Sequence, residues 1–282
     1  MPLTTTTELL RRAQQGGYAV GAFNVENMEM MQAVIEAAEA ARAPVILQTT
    51  PSTLRYAPPE LFQAMAARLA GQAAAPVALH LDHGNSFELA RRAIDAGYTS
   101  VMIDASQKPW EDNVRLTRQV TETAAAFGVP VEAELGTVGG KEDDLSAEGD
   151  AYTDPQQARQ FVEETGVSSL AVAIGTAHGV YHGVPRLDVD RLRRIRAAVA
   201  APLVLHGASG LSDDSVRECI RAGICKVNFA TELRLAYTRA VRELLQAEPE
   251  AFDPKAYGAR ARDAVRAQVQ ERMAVCGCLG KA

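Results

Sequence analysis

The chain has 282 residues, 47% of them hydrophobic and 23% charged, enough to bury a full core and a usual size for one α/β barrel domain. Its net charge of −6 leaves no broad basic face for nucleic acid, although a local pocket for one or two phosphates needs no such face. The opening Met-Pro-Leu-Thr-Thr-Thr-Thr-Glu lacks the basic start and apolar core of a secretory signal, and no apolar run reaches the roughly 18 residues that span a bilayer, so a cytoplasmic protein without a membrane partner is expected.

Read in chain order, short β-rich runs alternate with Ala-, Arg- and Leu-rich segments whose apolar residues recur three and four apart. A leading helix is predicted over 6–15. Strands over 19–23, 45–49, 77–81, 100–104, 131–135, 169–174, 203–206 and 226–229 are followed in turn by helices over 28–41, 59–69, 87–96, 110–127, 155–165, 189–199, 213–222 and 232–245. A trailing helix covers 255–275. Gly97, Gly128, Gly166 and Gly223 fall where helices stop in a left-handed cap, and Ser86, Asp154 and Ser212 stand where N-caps belong. Eight strand–helix pairs so punctuated predict a (β/α)8 TIM barrel with an extra N-terminal helix and a C-terminal helical extension, forming one domain over 1–282. Cys219, Cys225, Cys276 and Cys278 make no disulfide framework and are expected as reduced thiols.

In such barrels the chemistry lies at the C-terminal ends of the strands, and three histidines obey that rule. His83 follows Val77-Ala-Leu-His-Leu-Asp82, His178 follows Leu170-Ala-Val-Ala-Ile-Gly175, and His206 closes Pro202-Leu-Val-Leu205. Each alone reads as a hydrogen-bonded structural residue; at three strand ends sharing one mouth they read as a metal site. Imidazole nitrogens suit zinc, and three protein ligands with one open position define a catalytic site. His182 is the rival ligand, and His80, deeper in its strand, reads as a buried structural group.

Carboxylates gather at the same rim: Asp82 beside His83, Asp104 ending the fourth strand, Glu132 and Glu134 on one face of the fifth, and Glu142, Asp143 and Asp144 beyond it. Gly136, Gly139 and Gly140 precede this last group, so the stretch reads either as a solvated loop or as a lid that swings an acid or base over the substrate. After the seventh and eighth strands, Gly207, Ala208, Ser209 and the run from Asn228 to Thr231 offer small or hydroxylated residues beside helix N-termini, where backbone N–H groups hold phosphate in many barrels. Plain N-capping by Ser209 and Thr231 is the alternative there.

The stretches Leu79-His-Leu-Asp-His-Gly84, Ser100-Val-Met-Ile-Asp-Ala-Ser106, Val131-Glu-Ala-Glu-Leu-Gly-Thr-Val-Gly-Gly140, Ala173-Ile-Gly-Thr-Ala-His-Gly179, Leu203-Val-Leu-His-Gly-Ala-Ser209 and Lys226-Val-Asn228 resemble the class II, zinc-dependent ketose-bisphosphate aldolases, from about Leu9 to Cys276. The resemblance implies zinc on His83, His178 and His206, with Glu134 close by either as an alternate ligand or as a support behind one; Asp104, as a strand-end carboxylate at the same rim, is placed in the metal set as well. It further implies Asp82 as the acid/base at the C4 hydroxyl and Glu142 as the group exchanging the C3 proton. Substrate contacts are implied for Asn24, Gly179, Gly207, Ala208, Ser209, Asn228, Ala230 and Thr231, the phosphate of dihydroxyacetone phosphate resting on Gly179, Gly207, Ser209 and Thr231. A monovalent cation, Na+ or K+, near Gly179 and Gly207 and a homo-oligomer, dimer or tetramer, belong to the same implication.

Two features leave the sugar open. His206-Gly-Ala-Ser-Gly-Leu211 and Phe229-Ala-Thr-Glu-Leu233, with Ala230 in place of an acidic residue, look like tagatose-bisphosphate enzymes; Leu81-Asp-His-Gly-Asn-Ser-Phe-Glu88 and Asp104-Ala-Ser106 look like the fructose-bisphosphate branch. The family's arginine for the distal phosphate is displaced, with Ala259 near its place and Arg260 and Arg262 nearby. Two other chemistries fit the bare residues: a Schiff-base aldolase using Lys226, one of five lysines, and a zinc hydrolase. A charge paired inside the lower barrel is the structural alternative for Lys226.

Overall fold

The computed structural model describes residues 2–142, 145–147, 152–179 and 185–282, the side chains of 141, 142 and 145–147 aside. In chain order the elements are α1 (Thr6–Gly16), β1 (Val20–Asn24), α2 (Met28–Ala41), β2 (Val45–Thr49), α3 (Pro51–Tyr56), α4 (Pro59–Ala70), β3 (Val77–Gly84), α5 (Phe87–Asp95), β4 (Ser100–Ile103), α6 (Trp110–Ala125), β5 (Val131–Leu135), β6 (Gly139–Glu142), β7 (Leu145–Ala147), α7 (Pro155–Thr165), β8 (Ser169–Val172), β9 (Ala177–His178), α8 (Val189–Ala198), β10 (Leu203–Leu205), α9 (Asp213–Arg221), β11 (Ile224–Phe229), α10 (Thr231–Ala247) and α11 (Pro254–Cys276). Eight of the strands close into a barrel in the order β1-β11-β10-β8-β5-β4-β3-β2. All eight pairings are parallel, and Val20↔Lys226 through Phe23↔Phe229 seals the first strand to the last. This is the (β/α)8 architecture with an added helix at each end.

Strand alternation sorts side chains into two layers. Phe23 and Phe229, paired across the seam, stack at 5.5 Å and are wholly buried. Their neighbours Ala22, Asn24, Lys226 and Asn228 have the other parity and line the barrel's axis. Hydrogen bonds prove that direction: Lys226 on β11 reaches Glu132 on β5, with two strands between them, and Asn228 reaches Asp82 on β3. Only a path through the lumen joins those strands. The apolar core therefore sits between sheet and helices, while the lumen is largely polar.

Caps punctuate the helices as their residue types dictate. The side chains of Ser86, Asp154 and Ser212 accept from the N–H groups of Leu89, of Gln156 and Gln157, and of Ser215 respectively. Gly97, Gly128, Gly166 and Gly223 all have positive φ. At the far end, α11 buries Val265, Val269 and Met273 along one stripe, and Cys276 O accepts from Ala19 N–H at 3.0 Å just before β1.

Several boundaries differ from expectation. Pro51 at a helix start, with the Thr50 hydroxyl accepting from Thr53 N–H at 3.4 Å, nucleates α3 where no helix is predicted. β3 runs on to Gly84, whereas β4, β8 and β10 stop before Asp104, Ile174 and His206, which leaves Asp104 and His206 on strand-end loops. Residues 139–142 are not a plain loop: β6 pairs with β7 and β9 in a small three-stranded sheet over the mouth. The N-cap of α10 is Ala230 and that of α9 is Ser212, so neither Thr231 nor Ser209 takes the cap position considered for it; the Ser209 hydroxyl instead accepts from Ala230 N–H at 3.3 Å.

One partly buried acid outside the barrel affects stability. Glu232, in the first turn of α10, accepts from the Gln268 side chain at 3.0 Å, and its other oxygen has no hydrogen-bond partner among the described residues. Burial pushes its carboxyl up to about 7. The folded chain thus holds a proton that the unfolded chain releases at lower pH, and its stability declines as pH rises from the ordinary carboxylate range through about 7. Melting temperatures measured across that range should show the Glu232→Gln variant gaining on the wild type as pH rises, with no further gain above about pH 8.

Candidate active site

Asp82 lies at the C-terminal end of the lumen on β3 and is 1% exposed. Asn24 donates to one of its oxygens at 3.1 Å and Asn228 to the other at 3.0 Å, while Gln48 donates to Asn24 at 2.9 Å. In a regular strand His83 would point away from this cluster. It does not, because its φ is 47°, a left-handed value that only His83 and Arg42 adopt among the described non-glycine residues. Gly84 makes the kink possible: a Cβ there would lie 2.4 Å from Met102 O. The turn brings the His83 ring 4.6 Å from that of His206 and 5.1 Å from that of His178, centroid to centroid.

One ligand atom from each of His83, Glu134, His178 and His206 falls within 4.8 Å of the others. Asp104, expected among the metal residues, is not in this set. Its Oδ2 lies 2.7 Å from His83 Nδ1, so the carboxylate fixes that ring from behind. With Nδ1 so engaged, His83 Nε2 is buried and has no hydrogen-bond partner among the described residues. An orphaned imidazole nitrogen facing two more histidines and a carboxylate is the donor set of a divalent transition ion, and these residues fit one. His206 is held from both sides, Nδ1 at 3.0 Å from Glu134 Oε2 and Nε2 at 3.1 Å from Glu132 Oε1.

The electrostatics also call for a cation. Burial works against a charged His206, yet the hydrogen bonds to Glu132 and Glu134 push it up to about 9. His83 likewise overcomes burial through the charge of Asp82 and its bond to Asp104, and stands well above the usual histidine range. Asp104, despite burial, is held well below the usual carboxylate range by His83. The cluster therefore attracts protons, which a bound ion must displace.

Beneath it lies the paired charge that the sequence offers as the structural alternative for Lys226, with Glu132 as the partner it did not name. Lys226 Nζ contacts both oxygens of Glu132 at 3.0 and 2.9 Å, with the lysine fully buried. Despite burial, the lysine's charge keeps the Glu132 carboxyl well below its ordinary range. His80, buried as expected, meets Ser100 Oγ at 2.8 Å through Nδ1, and burial, with the charge of Lys226, pushes it well below the usual histidine range. The polar Gln48 in Val45-Ile-Leu-Gln-Thr49 was the available sign that the lumen is not oily.

A pocket adjoins the cluster, lined by His178, Gly179, Gly207, Ala208, Ser209, Asn228, Ala230 and Thr231. Apart from His178, all of them are residues expected to contact substrate; Asn24, expected with them, hydrogen-bonds to Asp82 and does not line this pocket. Gly179 and Gly207 have φ of 85° and 65°. The first turn of α10 opens beside the pocket at Thr231, so peptide dipoles favour an anion there. The backbone of Glu142 lies in β6; its side chain, together with Asp143, Asp144 and His182, lies outside the described residues.

A closed (β/α)8 barrel with a metal-competent histidine cluster and an adjoining pocket at a helix N-terminus has the architecture of a barrel enzyme. The model of the class-II fructose-bisphosphate aldolase family matches residues 4–281, and the chain belongs to that family; it is an aldolase, a carbon–carbon lyase. Among solved structures, the YdjI aldolase from Escherichia coli K12 is 38% identical with a TM-score of 0.88, covering 99% of each chain. A Coccidioides immitis protein described as a fructose-1,6-biphosphate aldolase is 33% identical, covering 97% of this chain and 96% of that one, with a TM-score of 0.91. The fructose-bisphosphate aldolase of Campylobacter jejuni, at 22% identity and TM-score 0.84, covering 100% and 97%, shares the fold.

Asp104 offers a test of the cluster that does not touch a ligand. Replacing it by Asn removes the charge behind His83, and zinc affinity measured by competition with a chromophoric chelator should fall about 10- to 100-fold.

Proposed function

We propose that this aldolase, acting as one unit over 1–282, binds zinc through His83, His178 and His206 and reversibly cleaves a ketohexose 1,6-bisphosphate, of fructose or tagatose, to dihydroxyacetone phosphate and glyceraldehyde 3-phosphate. The observation that carries this is the double membership of His178, which belongs to the metal-competent cluster and also lines the anion pocket. A ketose 1-phosphate seated in that pocket brings its C2 carbonyl and C3–C4 bond next to the cluster. Glu134 is an alternate ligand, and Asp104 acts on the metal through His83.

A zinc ion in this site supplies Lewis-acid polarisation of the C2 carbonyl. The 1-phosphate rests on Gly179, Gly207, Ala208, Ser209 and Thr231, with the N-terminus of α10 favouring its charge and a Na+ or K+ ion beside Gly179 and Gly207. Ala230 adds no side chain that crowds it. Asp82 accepts the C4 hydroxyl proton as the C3–C4 bond breaks. Its two oxygens each take one hydrogen bond, from Asn24 and Asn228, which fixes its direction and leaves lone pairs for the substrate. Asn228 also faces the pocket and meets the substrate's own oxygens. Glu142 then delivers a proton to C3, restoring dihydroxyacetone phosphate.

The Schiff-base alternative needs an available lysine, and Lys226 is committed to Glu132. A hydrolase would have no use for the anion pocket. Four buried free thiols suit a reducing, cytoplasmic setting, and no helix among the described residues is long and apolar enough to cross a membrane. The family resemblance supports a homo-oligomer, a dimer or tetramer, with no nucleic-acid partner.

The test is a coupled assay for triose phosphate release from both sugar bisphosphates, before and after chelation and with zinc restored. Asp82→Ala should keep its zinc and lose about 10²- to 10⁴-fold in turnover. Full activity after metal removal, or in this variant, would overturn the assignment.

A further inference from the structure

The strand that presents His178 is only two residues long, and in the small sheet β7-β6-β9 its β partner is β6. Gly139 pairs with Ala177 and Gly140 with His178, in parallel register. β6 pairs on its other side with β7, Gly140 opposite Ala147 and Glu142 opposite Leu145. The contact is too close for a side chain. A Cβ on Gly140 would lie 2.3 Å from the carbonyl oxygen and 2.8 Å from the nitrogen of His178, backbone atoms that cannot rotate aside, and φ at Gly140 is +89°. A Cβ on Gly207, next to His206, would lie 2.6 Å from Ala177 O. The two residues of β9 thus each have a glycine packed closely against their backbone, one from the hairpin and one adjoining a second member of the cluster.

We propose that Gly140 is a positioning residue whose backbone pairing couples cation binding at His178 to docking of the hairpin that carries Glu142. The ion holds β9, β9 holds β6, and Glu142 follows Gly140 by two residues on β6. Coupling between two binding events is reciprocal, so a docked hairpin tightens the ion by the same factor by which the ion favours docking. One consequence is that the strand carrying the proton donor is docked more of the time when the metal is bound. The inference rests on the roles given above to His178 and Glu142, and it concerns residues that hold those groups rather than the reacting atoms.

Hydrogen–deuterium exchange of a peptide covering 136–142, in the wild type with and without zinc, tests it directly. Exchange should slow about tenfold on zinc addition, a typical coupling factor. Gly140→Ala should bind zinc about tenfold more weakly in chelator competition and lose the zinc-dependent protection, while the metal-free melting temperature stays near wild type. Unchanged exchange in a wild type that demonstrably binds zinc, or wild-type zinc affinity in the variant, overturns the coupling. A wild type that binds no zinc overturns the metal assignment instead. Should Gly140→Ala fail to fold, the wild-type exchange measurement alone decides.

Discussion

A carboxylate buried in the middle of a barrel must find a cation, and Glu132 finds Lys226. Isolated, either charge would cost many kcal/mol in such surroundings; paired at 2.9 and 3.0 Å with a further bond to His206, they become part of the frame. The two residues come from β5 and β11, so the pair also reports on how the barrel closes. A slip of one residue in either strand would turn the charge out of the lumen into the apolar layer. Register, closure and the seat of His206 are therefore consequences of one interaction.

Above that pair, two of the three imidazoles at the mouth are fixed by carboxylates. Asp104 takes one nitrogen of His83 and so decides which nitrogen faces inward. Glu132 and Glu134 bracket His206 in the same manner, with one of them also a member of the cluster. Asp82 is instead oriented by two neutral amides, which do not cancel its charge. Carboxylates of the same chemical type thus take distinct parts because their neighbours differ.

How much of this could be read in advance depended on whether the signal was local. Helix ends were legible because their causes lie within a few residues: Ser86, Asp154 and Ser212 cap the turns that follow them, and the glycines stop the turns before them. The three histidines and the small-residue pocket were legible because barrel chemistry gathers at strand ends. What escaped was non-local or conformational. Nothing near Glu132 in the sequence announces Lys226, ninety-four positions on. Asp104 looked like a ligand since it ends a strand, and only the three-dimensional arrangement shows it behind His83. The β6–β9 pairing was invisible because Gly-Gly followed by charged residues carries none of the apolar alternation that marks a strand.

The left-handed backbone at His83 carries one more implication. A non-glycine residue at φ 47° gives up on the order of 1–2 kcal/mol that glycine would not, and only aiming an imidazole inward gives that position a reason to keep its side chain. Thermodynamic selection and catalytic selection consequently pull in opposite directions at this one codon. In a lineage relieved of the reaction, drift toward glycine or asparagine there would harden the scaffold while silencing it, so the identity of this residue is a marker of whether a descendant still works as a catalyst.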